Sequence, residues 1–163
     1  MTPSEFRTVA LDSPGSKIRI FDRENTMKVK GTYSVKKWEE STYQQISPTM
    51  KLTRASVEYE FSGEIQGKAS VEYLMFYSYS DPKDQHKSAA SYVGQMRFDG
   101  ALKGRSGTFV MEDNGKFEGG AASSAIRIAG DSGTGGLEGI SGKGMYRATK
   151  DGCLFELEYT LPS

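Results

Sequence analysis

Ser70-Val71-Glu72-Tyr73-Leu74-Met75-Phe76-Tyr77-Ser78-Tyr79 is the stretch on which the reading of the fold turns. Val71, Tyr73, Met75, Tyr77 and Tyr79 occupy alternate positions, and side chains two residues apart share one side of an extended strand. The same period appears upstream in Val57, Tyr59 and Phe61, and downstream in Tyr92, Gly94, Met96 and Phe98, then in Phe109 and Met111. It returns near the C-terminus as Ile126 and Ile128, and as Cys153, Phe155, Leu157, Tyr159 and Leu161, with Glu156 and Glu158 on the opposite face. Each run has one apolar side and one polar side, the pattern of a half-buried antiparallel sheet.

Turn chemistry separates the runs. Ser62-Gly63, Asp81-Pro82, Asp99-Gly100, Asp113-Asn114-Gly115, Glu118-Gly119-Gly120, Asp131-Ser132-Gly133 and Asp151-Gly152 recur at hairpin spacing. No window of a dozen residues carries a sustained apolar i, i+3, i+4 stripe, so the chain reads as all-β. About eight strands with one apolar face either pack as two sheets or close into a single antiparallel β-barrel. Closure is the first expectation because it removes exposed edges. Gly94, Gly107, Gly119, Gly142 and Gly144, within or at the ends of strands, permit the bends a barrel needs. The expected organisation is an N-terminal extension over residues 1–26, with one short strand at Ile18 to Phe21, and a β-barrel domain over residues 27–163.

Composition narrows the function classes. A chain of 163 residues is the size of one domain. Its 21 Lys+Arg cancel its 21 Asp+Glu, which leaves no charge excess to hold a polyanion or an anionic membrane surface. Nucleic acid is therefore not an expected partner. The longest apolar run, Tyr73 to Tyr77, is far short of the roughly 20 residues of a membrane helix, and Met1-Thr2-Pro3-Ser4-Glu5 lacks a basic-then-apolar signal pattern. The expectation is a cytoplasmic protein with no membrane partner. Cys153 and His86, the only residues of their types, cannot build a Cys/His zinc cage, so no metal and no cofactor is expected.

Several motifs in one order carry a family resemblance. Gly31-Thr32-Tyr33-Ser34-Val35 leads to Trp38-Glu39-Glu40, then to Phe61-Ser62-Gly63-Glu64-Ile65-Gln66-Gly67 and Glu72-Tyr73-Leu74-Met75. Ser91-Tyr92-Val93-Gly94-Gln95, Gly104-Arg105-Ser106-Gly107-Thr108-Phe109, Gly115-Lys116-Phe117-Glu118-Gly119 and Ser132-Gly133-Thr134-Gly135-Gly136-Leu137-Glu138-Gly139-Ile140 follow. From about Gly31 to Leu161 the chain resembles the bacterial domain-of-unknown-function family 3224. The resemblance implies an antiparallel barrel similar to that of allene oxide cyclase and the lipocalins, in which relatives enclose a hydrophobic ligand. It implies no catalytic residue. The polar segment from Asp81 to Ala90 departs from the family pattern as a longer insert, read either as decoration or as a lid at the barrel mouth.

Tyrosines are the main site candidates. Tyr59, Tyr73, Tyr77, Tyr79, Tyr92, Tyr146 and Tyr159 share parity with the apolar residues of their strands, which points most of them inward. A buried hydroxyl needs a partner or a water, which a partly hydrated cavity supplies and a plain Phe/Leu core does not require. Tyr59, Tyr73, Tyr77, Tyr92, Met96, Phe109, Tyr146 and Tyr159 are the expected lining of a pocket for an apolar small molecule, and Trp38, the single tryptophan, is either a ligand-stacking surface of that pocket or a plug or rim anchor of the barrel. The alternative is a filled core in which each hydroxyl reaches the rim.

Tyr92 and Glu72 are the expected proton-transfer groups. Glu72 qualifies only if a bulge turns it inward, since by parity it faces outward with Gln95. Glu64, Glu158 and Arg105 are weaker candidates, and Arg105 reads first as the organiser of a hairpin. The leading expectation is an isomerase or cyclase acting by positioning and proton transfer. Beside it stands a non-catalytic binding or assembly module with a filled core. A third reading, an aspartic peptidase, needs two carboxylates sharing a proton; Asp131-Ser132-Gly133 occurs once, so it requires a dimer. Leu74, Phe76, Val93 and Val110, opposite the inner set, predict an apolar outer stripe and a homo-oligomer.

Overall fold

The computed structural model describes residues 25–162. The strand expected at Ile18 to Phe21 lies outside them. Nine strands follow in order: β1 (Met27–Gln45), β2 (Lys51–Gly63), β3 (Ile65–Tyr79), β4 (Ala89–Leu102), β5 (Arg105–Glu118), β6 (Ala121–Ile128), β7 (Thr134–Gly135), β8 (Ser141–Thr149) and β9 (Gly152–Thr160). All pairings are antiparallel. The ladder runs β4-β3-β2-β1-β9-β8-β6-β5, and β5 pairs back onto β4, so eight strands close a barrel. β7 adds a two-residue pairing on β5 at Gly107 and Thr108. Among the described residues no helix is long and apolar enough to cross a membrane.

Alternation decides which side chains fill the barrel. Val57, Tyr59, Phe61, Val71, Tyr73, Met75, Tyr77, Tyr92, Met96, Phe98, Phe109, Met111, Ile126, Ile128, Phe155, Leu157 and Tyr159 are all buried. A register shift between Tyr77 and Tyr79 breaks the pattern, so Tyr79 is exposed and does not join the inner set. The turn expectations also need two corrections. Asp99-Gly100 and Asp113-Asn114-Gly115 lie within β4 and β5, whose ladder pairs Gly100 with Gly107 and Gly94 with Asp113. The hairpin tips come later, at Lys103-Gly104 (φ 48° and 83°) and Gly119-Gly120 (φ 62° and 78°). Two successive left-handed residues match the twist of antiparallel strands, and an Asp-Asn-Gly run only offers that geometry where the ladder ends.

The two ends of the barrel differ. One is packed solid: Phe61 meets Phe98 and Phe155 edge-on at 5.8 and 5.0 Å between centroids, and Phe98 meets Phe109 at 5.1 Å. The segment joining β6 to β8 closes it by placing Leu137 and Ile140 in the core. At the other end β1 pairs with β9 only from Met27 to Gly31, and its remaining length stays with β2 alone. That parting of β1 from β9 leaves the barrel open.

Candidate functional site: an aromatic cavity above a buried carboxylate

A cavity of about 530 Å³ enters the barrel from the open end. Its upper ring follows the strand register: Lys51 pairs with Tyr77, Tyr77 with Ala90, Ala90 with Phe117, Phe117 with Ala122, Ala122 with Ala148, and Ala148 with Cys153. All seven border the cavity. The small residues on β4, β6 and β8 leave the space, and the large ones on β2, β3 and β5 wall it. Gln85, from the insert between β3 and β4, also borders the cavity and places that insert at the mouth.

Glu40 organises the rim. Its Oε2 accepts hydrogen bonds from the Tyr77 hydroxyl and the Thr53 hydroxyl, each at 2.7 Å, and its Oε1 accepts from the Trp38 indole N–H at 3.0 Å. Burial, and then the Glu40 carboxylate, push the Tyr77 hydroxyl pKa up, so Tyr77 stays protonated as a donor. The Lys51 ammonium lies 4.9 Å from the centre of the Tyr77 ring, within the range of a cation–π contact.

Below the rings lies a hydroxyl network. Tyr73 donates to Asp113 Oδ2 at 2.7 Å; the Tyr73 hydroxyl also lies 3.1 Å from that of Tyr59 and 3.2 Å from that of Tyr146. Tyr92 joins Tyr146 at 3.0 Å and Ser124 at 2.7 Å. Two glycines make the room. A β-carbon at Gly115 would stand 2.3 Å from Ser124 Oγ and 2.6 Å from the Tyr92 hydroxyl; one at Gly94 would stand 2.6 Å from the Tyr73 ring.

Asp113 is 2% exposed, and its Oδ1 has no hydrogen-bond partner. Burial raises its pKa above the ordinary carboxyl range, and the hydroxyls of Tyr73, Ser124 and Tyr146 only partly offset that. Burial likewise raises the hydroxyl pKa values of Tyr59, Tyr73, Tyr92 and Tyr146, which holds all four neutral. The site therefore offers protonated phenols in an apolar chamber, backed by a carboxyl group whose pKa burial raises.

Of the residues singled out from sequence, Trp38, Tyr59, Tyr73, Tyr77, Tyr92 and Tyr146 border the cavity. Met96, Phe109 and Tyr159 do not. They are fully buried in the barrel interior outside the cavity lining, because inward parity places a residue inside without saying at which height. Glu72 is corrected too: no bulge turns it inward, and it sits on the outer face with a 2.7 Å ion pair to Arg54. The Ser56 hydroxyl and then Arg54 hold its pKa below the usual carboxylate range, the opposite of a proton donor for neutral pH. Glu64 accepts from the backbone N–H of Lys30 at 2.9 Å. Asp131 occupies an exposed turn at φ 63°.

Sequence reasoning missed Asp113, Ser124 and Glu40, and also Tyr33 of β1, which borders the cavity. For Asp113 a signal existed: it continues the Phe109, Met111 alternation, but Asp-Asn-Gly reads more readily as a turn. Among the described residues no cluster of His, Cys, Asp and Glu could hold a metal ion.

The family described as "Protein of unknown function (DUF3224)" matches residues 29–160, and the chain belongs to it. A crystal structure of a protein of unknown function from that family, from Shewanella oneidensis MR-1, is similar in fold: TM-score 0.69 at 22% identity, over 85% of this chain and 99% of that one. No curated protein matches the chain.

Proposed function

We propose that this DUF3224 chain takes an apolar small molecule into the open end of its barrel and sets one polar atom of it against the tyrosine hydroxyls. The cavity of about 530 Å³ supports the reading most directly, since its size falls in the range of small-molecule sites. A packed core has no such space and no need for a network of five hydroxyls. The finer part of the proposal is an isomerase or cyclase that needs no cofactor: the aromatic walls fix the conformation of the ligand, and the floor exchanges a proton with it. A cytoplasmic setting belongs to the same proposal. Native mass spectrometry of the purified protein, followed by denaturing extraction, tests it. A retained apolar compound at one per chain supports the reading. A chain that neither retains nor takes up any apolar compound counts against it.

A second reading has its own observation. Leu74 and Val93, direct cross-strand partners, are 53% and 51% exposed on the outer face, with Phe76 beside them at 37%; Val110 is half-buried and paired with Arg97, beyond the polar pair Gln95–Glu112, and does not join them. This stripe favours a homo-oligomer, alone or alongside ligand binding. Light scattering of the native chain and of Leu74→Lys tests it: an oligomer that the substitution turns into monomer supports the interface, and a native monomer at micromolar concentration removes it.

A further inference from the structure

Proton counting fixes the direction of every hydrogen bond in the cavity floor. Each hydroxyl has one proton to give and two lone pairs with which to accept. Tyr73 gives its proton to Asp113 Oδ2, so Tyr59 and Tyr146 must both donate to Tyr73. With the Tyr146 proton committed, Tyr92 must donate to Tyr146, and Ser124 must then donate to Tyr92. All five protons thus run one way, toward the carboxylate. With Asp113 ionised, none is left for a ligand.

A proton on Asp113 reverses the order. On Oδ1 it would find no acceptor, because that oxygen is buried and unpartnered. On Oδ2 it donates to Tyr73, which frees the Tyr73 proton for Tyr59 and the Tyr59 proton for the cavity. Only two hydroxyls turn. A turn toward Tyr146, which also borders the cavity, moves as few, but Tyr146 is shared with Tyr92, whereas Tyr59 ends its branch with Tyr73 as its one partner in the network, at 3.1 Å against 3.2 Å. We propose that Asp113, Tyr73 and Tyr59 form a proton relay whose outlet at Tyr59 recognises the carbonyl oxygen of an apolar ketone or aldehyde. The inference rests on the ligand cavity proposed above and names the chemistry of its occupant.

A carbonyl oxygen accepts a hydrogen bond without bringing charge into an apolar chamber, where an unpaired ion is costly. The relay passes on the direction of donation and breaks no O–H bond: the hydroxyls of Tyr73 and Tyr59 rotate, Asp113 keeps its proton, and the ligand oxygen stays neutral. Tyr73 and Asp113 also border a hollow on the outer face beside Gly94, rimmed by Arg54, Glu72 and Glu112. Those charges are occupied with one another, Arg54 with Glu72 and Glu112 with Arg127. The groups facing Asp113 from inside are hydroxyls: Tyr59 on β2, Tyr73 on β3, Tyr92 on β4, Ser124 on β6 and Tyr146 on β8. None of these is basic, so burial sets the direction in which the carboxyl titrates.

The test uses prodan, a fluorescent dimethylaminonaphthalene bearing a propionyl ketone, and its ketone-free parent, each titrated into the full chain across neutral pH. Carbon-13 NMR of labelled aspartate carboxyls follows Asp113 in parallel, identified by its absence in Asp113→Asn. Prodan should bind roughly three- to tenfold more weakly once pH exceeds the Asp113 pKa, the effect of one hydrogen bond, while the parent stays level. Asp113→Asn should remove the pH dependence. Tyr59→Phe should lower prodan affinity in acid to its alkaline level and leave the parent unaffected. An Asp113 carboxyl that titrates in the ordinary range, or prodan binding that ignores pH and Tyr59, overturns the relay and leaves the cavity standing. Saturable binding of neither probe overturns both.

Discussion

Asp113 and Glu72 are two carboxyls whose environments shift them in opposite directions, and each shift gives a signed dependence of stability on pH. Burial raises the folded pKa of Asp113, so over the interval above its unfolded value the folded chain binds the extra proton. Its contribution to stability is complete at low pH and is lost as pH rises through the folded pKa. Asp113→Asn keeps the shape and cannot ionise, so its melting temperature relative to the native chain should rise as pH climbs above the unfolded aspartate value of about 3.9 and level off above the raised folded pKa. Parallel curves for the two proteins would show that Asp113 carries no buried charge. For Glu72 the sign is opposite: its contribution is present above the unfolded pKa and is lost as pH falls, and solvent keeps it small. Gly115 allows a second forecast at this scale. A methyl group there must displace Ser124 and Tyr92, so Gly115→Ala should cost about 1–3 kcal/mol in denaturant unfolding. An unchanged midpoint would mean that the network adjusts freely. The tyrosines of this network were legible as inward residues, but their shared carboxylate was not. Alternation tells inside from outside, whereas the convergence of hydroxyls from β2, β3, β4 and β8 on one group of β5 depends on how the barrel closes.

β3 and β7 show how unevenly elements announce themselves. β3 follows directly from Val71, Tyr73, Met75 and Tyr77, because a strand with one buried face writes its period into the sequence. β7 and the residues after it carry no period. Gly133 to Gly136 look like a flexible loop, yet β7 pairs with Gly107 and Thr108 and delivers Leu137 to a fully buried position. A two-residue strand is too short to show alternation, so only the tertiary pairing reveals the plug. Leu137→Ala should therefore cost about 2–5 kcal/mol of stability, the scale of a buried leucine truncation, without altering the cavity at the other end. A cost near zero in equilibrium unfolding would show that the segment only covers the barrel instead of packing into it. Apolar-probe binding retained by that variant would separate the plug from the site.

One end of the molecule is closed by phenylalanines and Leu137; the other is held open where β1 leaves β9, with a polar floor between them. The closed barrel was readable from alternation, turns and the need to remove edges. Which end opens was not, because it depends on the pairing lengths of β1 with β2 and β9. Under the proposed function the open half is a ligand chamber and not core. Ala148, on the mouth ring, provides the lever: it borders the cavity, and a tryptophan in its place fills the entrance. The decisive measurement is a fluorescence titration of the native chain and Ala148→Trp with N-phenylnaphthylamine, an uncharged apolar probe, with circular dichroism confirming that both are folded. Saturation at one probe per native chain is expected, with loss of that binding in Ala148→Trp. Absence of saturable binding to the native chain, or equal binding to a folded Ala148→Trp, would contradict the ligand chamber.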